Sequence, residues 1–110
     1  MAYEIGDVIL VPFPFTDLSG TRVRPAVVVS APSYNTAFPD IIVAMVTSQP
    51  QSAATDYELR DWRQAGLLLP SWFRAKLATL QQDIVQLSPG RLSARDARAV
   101  AVRLRRALGL

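Results

Sequence analysis

Short apolar runs punctuated by proline limit what this chain can fold into. In residues 24–30, Arg24 and Pro25 are followed at once by Ala26, Val27, Val28 and Val29. Such a short run rich in β-branched residues suits a strand covered on both faces. Pro25 also acts on its predecessor. Its ring clashes with a helical residue before it, so Arg24 is pushed into extended backbone. Folding alone does not require an arginine at the opening of such a strand. It reads either as a cation held on rigid backbone beside a concave sheet or as a solvated charge at a loop end.

The same reasoning runs along the chain. Residues 7–15 read as a first strand, with Val8 and Leu10 on one side and Ile9 and Val11 on the other. Pro12 and Pro14 cannot donate ladder hydrogen bonds, so its far end is expected at an edge or outside the sheet. Residues 16–23 have loop composition, with Asp17, Ser19 and Gly20. Residues 31–40 read as a connection and 41–47 as a third strand, after which the polar stretch T-S-Q-P-Q-S begins at Thr47. Its hydroxyl and amide groups could bond phosphate or bases, or simply cap the strand end. A short strand is expected over 56–60, a turn or one helical turn over 61–66 ended by Gly66, and strands over 67–73 and 77–80, with Pro70 marking a bulge or edge. Residues 83–88 fit strand or turn. Trp72 and Phe73 read as core or dimer interface rather than as a base-stacking platform. The last element is a helix: Ser93 is a good N-cap, Asp96 stands three residues on, and arginines crowd its final turns. Ala97, Val100, Ala101, Leu104 and Leu108 form its apolar stripe. No repeat or linker interrupts the 110 residues, which read as one domain, 1–110.

Composition narrows the chemistry. The chain has no cysteine and no histidine. That removes disulfides, a thiol nucleophile, thiolate metal sites, the usual neutral-pH proton shuttle and any Ser-His-Asp arrangement. Gly6 and Gly20 are isolated, so no phosphate-binding glycine motif exists, and the carboxylates form no D-x-D-type cluster. No metal or cofactor is expected. The N-terminus lacks the basic region and long apolar run of a signal peptide, which points to a soluble, cytoplasmic protein without a membrane partner. The net charge of +3 hides a split. Residues 91–110 carry six arginines against one acid, Asp96, whereas the preceding ninety residues carry six basic and eight acidic groups. The basicity therefore belongs to the C-terminal segment, which either meets an acidic partner or is a solvated helix face.

Three blocks carry a resemblance: G-D-V-I-L-V-P-F-P-F-T-D (residues 6–17), T-R-V-R-P-A-V-V-V-S (21–30) and I-I-V-A-M-V-T-S-Q (41–49), with A-K-L-A-T-L (75–80) and G-R-L-S (90–93) in agreement. Together the sequence resembles the MazF/PemK-like toxin family, small ribonucleases of bacterial type II toxin–antitoxin pairs. The resemblance implies a mainly β (α+β) fold, an SH3-like barrel of the MazF/PemK/CcdB type with a C-terminal α-helix. It also implies a homodimer, a single-stranded RNA substrate and a cognate antitoxin, with DNA binding in complex with that antitoxin. By the same resemblance Arg24 matches the catalytic arginine and Thr47 the catalytic threonine. Ser48 and Gln49 are adjacent RNA-binding candidates, and Asp17, Thr21 and Arg22 belong to a loop that lies beside the RNA site in that family. Lys76 is a further RNA-binding candidate.

A nuclease without these metal ligands is most simply metal-independent and can use the RNA 2′-hydroxyl as its nucleophile. Arg24 then suits stabilisation of charge on the phosphate oxygens, because guanidinium stays charged and can engage two oxygens at once. Thr47 would position the phosphate, since an unassisted hydroxyl is too weakly acidic to act as a base. The sequence also departs from the pattern of the family it resembles. Several members carry a glutamate shortly before the arginine, where this chain has only Asp17, and some carry an arginine in the strand where this chain has Lys76 and Ala78. Two other readings follow: a non-enzymatic toxin that binds its target protein, as gyrase poisons of the same fold do, through the C-terminal helix; or a catalytically inactive RNA- or protein-binding relative.

Overall fold

The computed structural model describes residues 3–13 and 22–110. Its elements are β1 (Asp7–Phe13), β2 (Arg22–Val28), α1 (Pro32–Ala37), β3 (Asp40–Thr47), β4 (Tyr57–Glu58), β5 (Trp72–Gln81), β6 (Leu87–Arg91) and α2 (Ala94–Leu108). The strands form a curled antiparallel sheet in the order β4-β5-β3-β2-β1-β6. The mainly β class with a closing C-terminal helix is the class expected.

Successive residues of a strand point to opposite faces, and in β2 both faces are buried. Val27 joins one core with Val8, Ala44, Val46 and Phe73, which Val100 of α2 covers. Ala26 and Val28 join a second core with Ile9, Val11, Ile41 and Val43. This is why the central strands read as nearly continuous apolar runs rather than as alternating ones. Pro12 sits where β1 tolerates it: pairing with β6 stops at Leu10↔Leu87, whereas pairing with β2 continues through Pro12↔Val23. The proline therefore interrupts no ladder on the β6 side. Pro14 lies outside the described residues.

Several local expectations change. Residues 32–37 form a helix, not an open connection. No side chain caps it, and Pro32 occupies its first turn, where a missing N–H costs nothing. Tertiary bonds hold it: buried Asn35 donates to the carbonyls of Tyr3 (2.9 Å) and Ser30 (3.1 Å) and accepts from the Ser30 hydroxyl. The two strands expected over 67–73 and 77–80 are one strand, β5, bulged between Arg74 and Leu77, and residues 67–71 lie outside it. Residues 83–88 divide between a 3₁₀ turn, Gln82–Ile84, and the start of β6. Leu108 does not complete the stripe of α2: it is 54% exposed and does not join the core that Ala97, Val100 and Leu104 pack into.

The turn over 61–66 ends at Gly66, as its composition suggests. Gly66 adopts φ +82°, and a Cβ there would stand 2.6 Å from the carbonyl oxygen of Pro89. Across the same contact, a Cβ on Gly90 would meet the Ala65 carbonyl oxygen at 2.5 Å. Two backbones thus touch because neither carries a side chain at that point. Gly66→Ala combines a positive φ with a backbone clash, and should destabilise the fold by about 2 kcal/mol or more. Chemical denaturation of the variant beside the wild type measures this directly.

Candidate active site

The β2–β3 ladder pairs Ala26 with Met45, Val27 with Ala44 and Val28 with Val43. Continuing that register by two residues sets Arg24 across from Thr47, on neighbouring central strands and on the same face of the sheet. Both residues line a cleft of about 430 Å³ together with Ser48. Arg24 is half-buried, with its Nε inside, so its guanidinium springs from a fixed base. The Thr47 hydroxyl accepts from the Gln49 backbone N–H at 3.1 Å. That bond caps the strand end and uses a lone pair, leaving the O–H proton to be donated. The two readings of the T-S-Q stretch are therefore compatible: Thr47 caps the strand and still has a proton to offer an incoming oxygen.

The other candidate residues divide. Ser48 lines the cleft, but Gln49 does not: it is exposed, and its carbonyl accepts from Gln51 Nε2 at 3.1 Å. Arg22 is exposed at the start of β2, two residues before Arg24, and does not line the cleft. Lys76 is half-buried within the β5 bulge and is also absent from the cleft lining. Asp17 and Thr21 lie outside the described residues. Among the described residues no group of three metal-ligating side chains occurs.

The cleft has a wall that sequence patterning misassigned. Leu67, Leu68 and Leu69, read as part of a strand, close one side, and Pro25 and Pro89 also line it. This wall is irregular backbone tied at both ends. Leu67 N–H donates to the Trp62 carbonyl at 3.0 Å, Leu59 N–H donates to the Ser71 carbonyl at 2.9 Å, and the Ser71 hydroxyl donates to the Leu69 carbonyl at 2.8 Å. No periodic signal marks such a segment; the L-L-L-P composition fits a strand as well as a wall.

What fixes the wall is the start of α2. Asp96 is fully buried and accepts from the Tyr57 hydroxyl (2.6 Å), the Arg60 N–H (3.1 Å) and the Asp61 N–H (2.8 Å). The sequence suggests a capping box at this helix. Half of it forms, with Ser93 Oγ accepting from the Asp96 N–H at 3.3 Å. The carboxylate instead reaches across to the preceding turn. Burial, then the hydrogen bond to Asp96, pushes the Tyr57 hydroxyl up to about 12. Asp61 next to it accepts two bonds from Arg95, both 2.7 Å, and one from Ser93 Oγ at 2.6 Å.

Nor are the C-terminal arginines simply a solvated face. Arg91 pairs with Glu4 and Asp7, and Arg95 with Asp61. Arg103 lies over the Tyr57 ring, 4.9 Å from its centroid, and Arg106 donates to the Ala54 carbonyl at 2.8 Å. Four of the six thus bind other parts of the chain, and the pI of about 10.0 says little about any RNA-facing charge.

A sequence model of the PemK-like, MazF-like toxins of type II toxin–antitoxin systems matches residues 4–108. The chain belongs to that family of toxins. Solved structures agree with its fold. An endoribonuclease in complex with its cognate antitoxin, from a mycobacterial species, superposes with a TM-score of 0.81 at 21% identity, over 99% of this chain and 97% of that one. MazF from Deinococcus radiodurans gives 0.79 at 18% identity over 100% and 99%, and a MazE–MazF complex from the same organism gives 0.78 at 19% over 100% and 99%. No curated protein sequence matches the chain significantly. Among the described residues, no helix is long and apolar enough to cross a membrane.

The anchoring of the cleft wall has a pH signature. Hydrogen bonds from Arg95 and then Ser93 hold the Asp61 carboxyl at about 2, below its ordinary 3.8. Its folded value lies under its unfolded one, so its contribution to stability is complete above the unfolded value and is lost as pH falls from 3.8 toward 2. In acid titration of folding followed by circular dichroism, Asp61→Asn should flatten stability over that window relative to wild type.

Proposed function

We propose that this chain is the toxin of a type II pair that acts as a metal-independent, sequence-specific endoribonuclease on single-stranded RNA. It would work as a single-domain homodimer, and its cognate antitoxin would silence it through a segment that folds on binding. The observation that carries the reading is the alignment of Arg24 with Thr47 at the mouth of one cleft, in a chain of this family.

The proposed reaction is attack of the RNA 2′-oxygen on the adjacent phosphorus. The P–O2′ bond forms, the P–O5′ bond breaks, and the 2′-hydroxyl proton is lost. The products end in a 2′,3′-cyclic phosphate and a 5′-hydroxyl, the latter gaining a proton. Charge grows on the non-bridging phosphate oxygens as the phosphorus becomes five-coordinate. Arg24 is suited to that charge: its guanidinium is permanently positive, presents a fork of donors, and is rooted in a central strand so that little reorganisation accompanies reaction. Thr47 donates its O–H to one of the same oxygens, and Ser48 lies beside them. The requirement for a 2′-hydroxyl makes RNA the substrate and excludes DNA from cleavage.

Two substitutions test the pair. Arg24→Ala should lower the cleavage rate of a long unstructured RNA by about 10²–10³ without loss of fold. Thr47→Val, which keeps the shape and removes the donor, should lower it less, while Thr47→Ser retains most of it. Assays in EDTA with end analysis should give discrete wild-type cuts ending in cyclic phosphate. Wild-type rates from Arg24→Ala would overturn the assignment.

A further inference from the structure

Among the described residues, the lining of the cleft beside Arg24 and Thr47 is mostly apolar, which does not suit a phosphate-tracking groove. Among the described residues Arg24 is the one charged side chain in its lining; Leu10, Val23, Pro25, Val46, Leu67 and Pro89 make most of the rest. No aromatic residue is among the described residues of the lining. Apolar side chains nevertheless stand open at its rim: Leu68 is 92% exposed, Leu69 57% and Val23 47%. Clustered exposure of this kind marks a surface that something covers. The backbone between them is also uncommitted, because the amides of Leu68 and Leu69 make no hydrogen bond to any described group.

We propose that the leucine wall at 67–69, opposite Pro25 and Pro89, is the specificity determinant of the site and takes one unstacked nucleobase of the RNA strand. This rests on the ribonuclease reading above. A cleft of about 430 Å³ is in the range of pockets for small ligands, about 300–1,000 Å³. It suits one base with its sugar, not a length of backbone. Aliphatic side chains cover the faces of the base, and the idle amides of Leu68 and Leu69 are donors for acceptors on its edge, where single-stranded RNA carries its sequence information. Ser71 sets the shape of this wall by binding the Leu69 carbonyl. Affinity then comes mainly from burying the base, and a single phosphate is neutralised, at Arg24.

The test compares wild type with Leu68→Ser and Leu69→Ser, both at exposed positions, in cleavage of a pooled RNA with every cut site mapped. KM is measured for a short cleavable RNA across a series of salt concentrations. The expected result is loss of base preference at one position next to the cut and a KM raised about tenfold, with kcat nearly unchanged. For the wild type, the logarithm of KM should rise with the logarithm of salt at a slope of about 0.7, as one neutralised phosphate predicts. Unchanged cut-site profiles in both variants, or a slope of several, would overturn the inference while leaving the ribonuclease reading in place. A wild-type protein that cuts no RNA defeats that reading and this inference together. Sedimentation supplies the other decisive outcome: a variant that dissociates into monomers yet keeps its cut-site profile would assign the leucines to a contact between copies.

Discussion

A buried carboxylate holds this molecule's parts in order. Asp96 is fully enclosed at the first turn of α2, and its three donors come from Tyr57, Arg60 and Asp61, more than thirty residues earlier. Removing such an acceptor would leave several buried donors unmatched, each at a cost of about 1–3 kcal/mol. It would also release the turn that carries the leucine wall of the cleft. The helix therefore does more than cover a sheet. Its apolar side, through Val100, closes one core, and its N-terminus pins the segment that shapes the candidate site. Asp61 repeats the connection one residue along, through Ser93 and Arg95.

The site draws on two kinds of structure. Arg24 and Thr47 stand on central strands whose alignment is enforced by residues packed into both cores. The opposite wall is irregular and is held by point contacts: Leu67 to Trp62, Ser71 to Leu69, and the approach of Gly66 and Gly90 to each other's neighbouring backbone. A rigid pair facing a wall built from side-chain and turn contacts is a division seen from physical necessity. In the proposed function charge stabilisation would depend on fixed geometry, whereas base selection would be altered by exchanging exposed side chains without disturbing the sheet.

How much of this was legible in the sequence depended on whether the signal was local. The strands around Val8, Val27 and Val43 announce themselves, because β-branched runs buried on both faces have few alternatives. Gly66 and Ser93 mark their turn and helix start through backbone chemistry that neighbours do not alter. Arg24 stands out by its place before Pro25, the roles expected of it and of Thr47 come from the family resemblance, and their alignment follows from β2–β3 pairing. The misses were tertiary. The helix over Pro32–Ala37 lacks a side-chain cap and is held by Asn35 reaching to Tyr3 and Ser30. The leucines at 67–69 look like a strand because composition cannot reveal the bonds that withdraw them from the sheet. Asp96 looks like half of a capping box, and only its distant donors show otherwise. The C-terminal arginines look like a free basic face until four of them are traced to partners within the chain.

The double burial of β2 bears on how members of such a lineage can change in length. A residue gained or lost within β2 would exchange its two faces, sending Val27 toward the second core and turning Arg24 away from the side that Thr47 shares. The damage would be counted in both cores at once, so variants with that change are removed for failing to fold before their chemistry is ever tried. Length can drift in the connections on either side of the strand without this penalty. The alignment of the arginine with the threonine is thus inherited as a by-product of packing, and selection on folding alone would keep it in register long after selection on activity had lapsed.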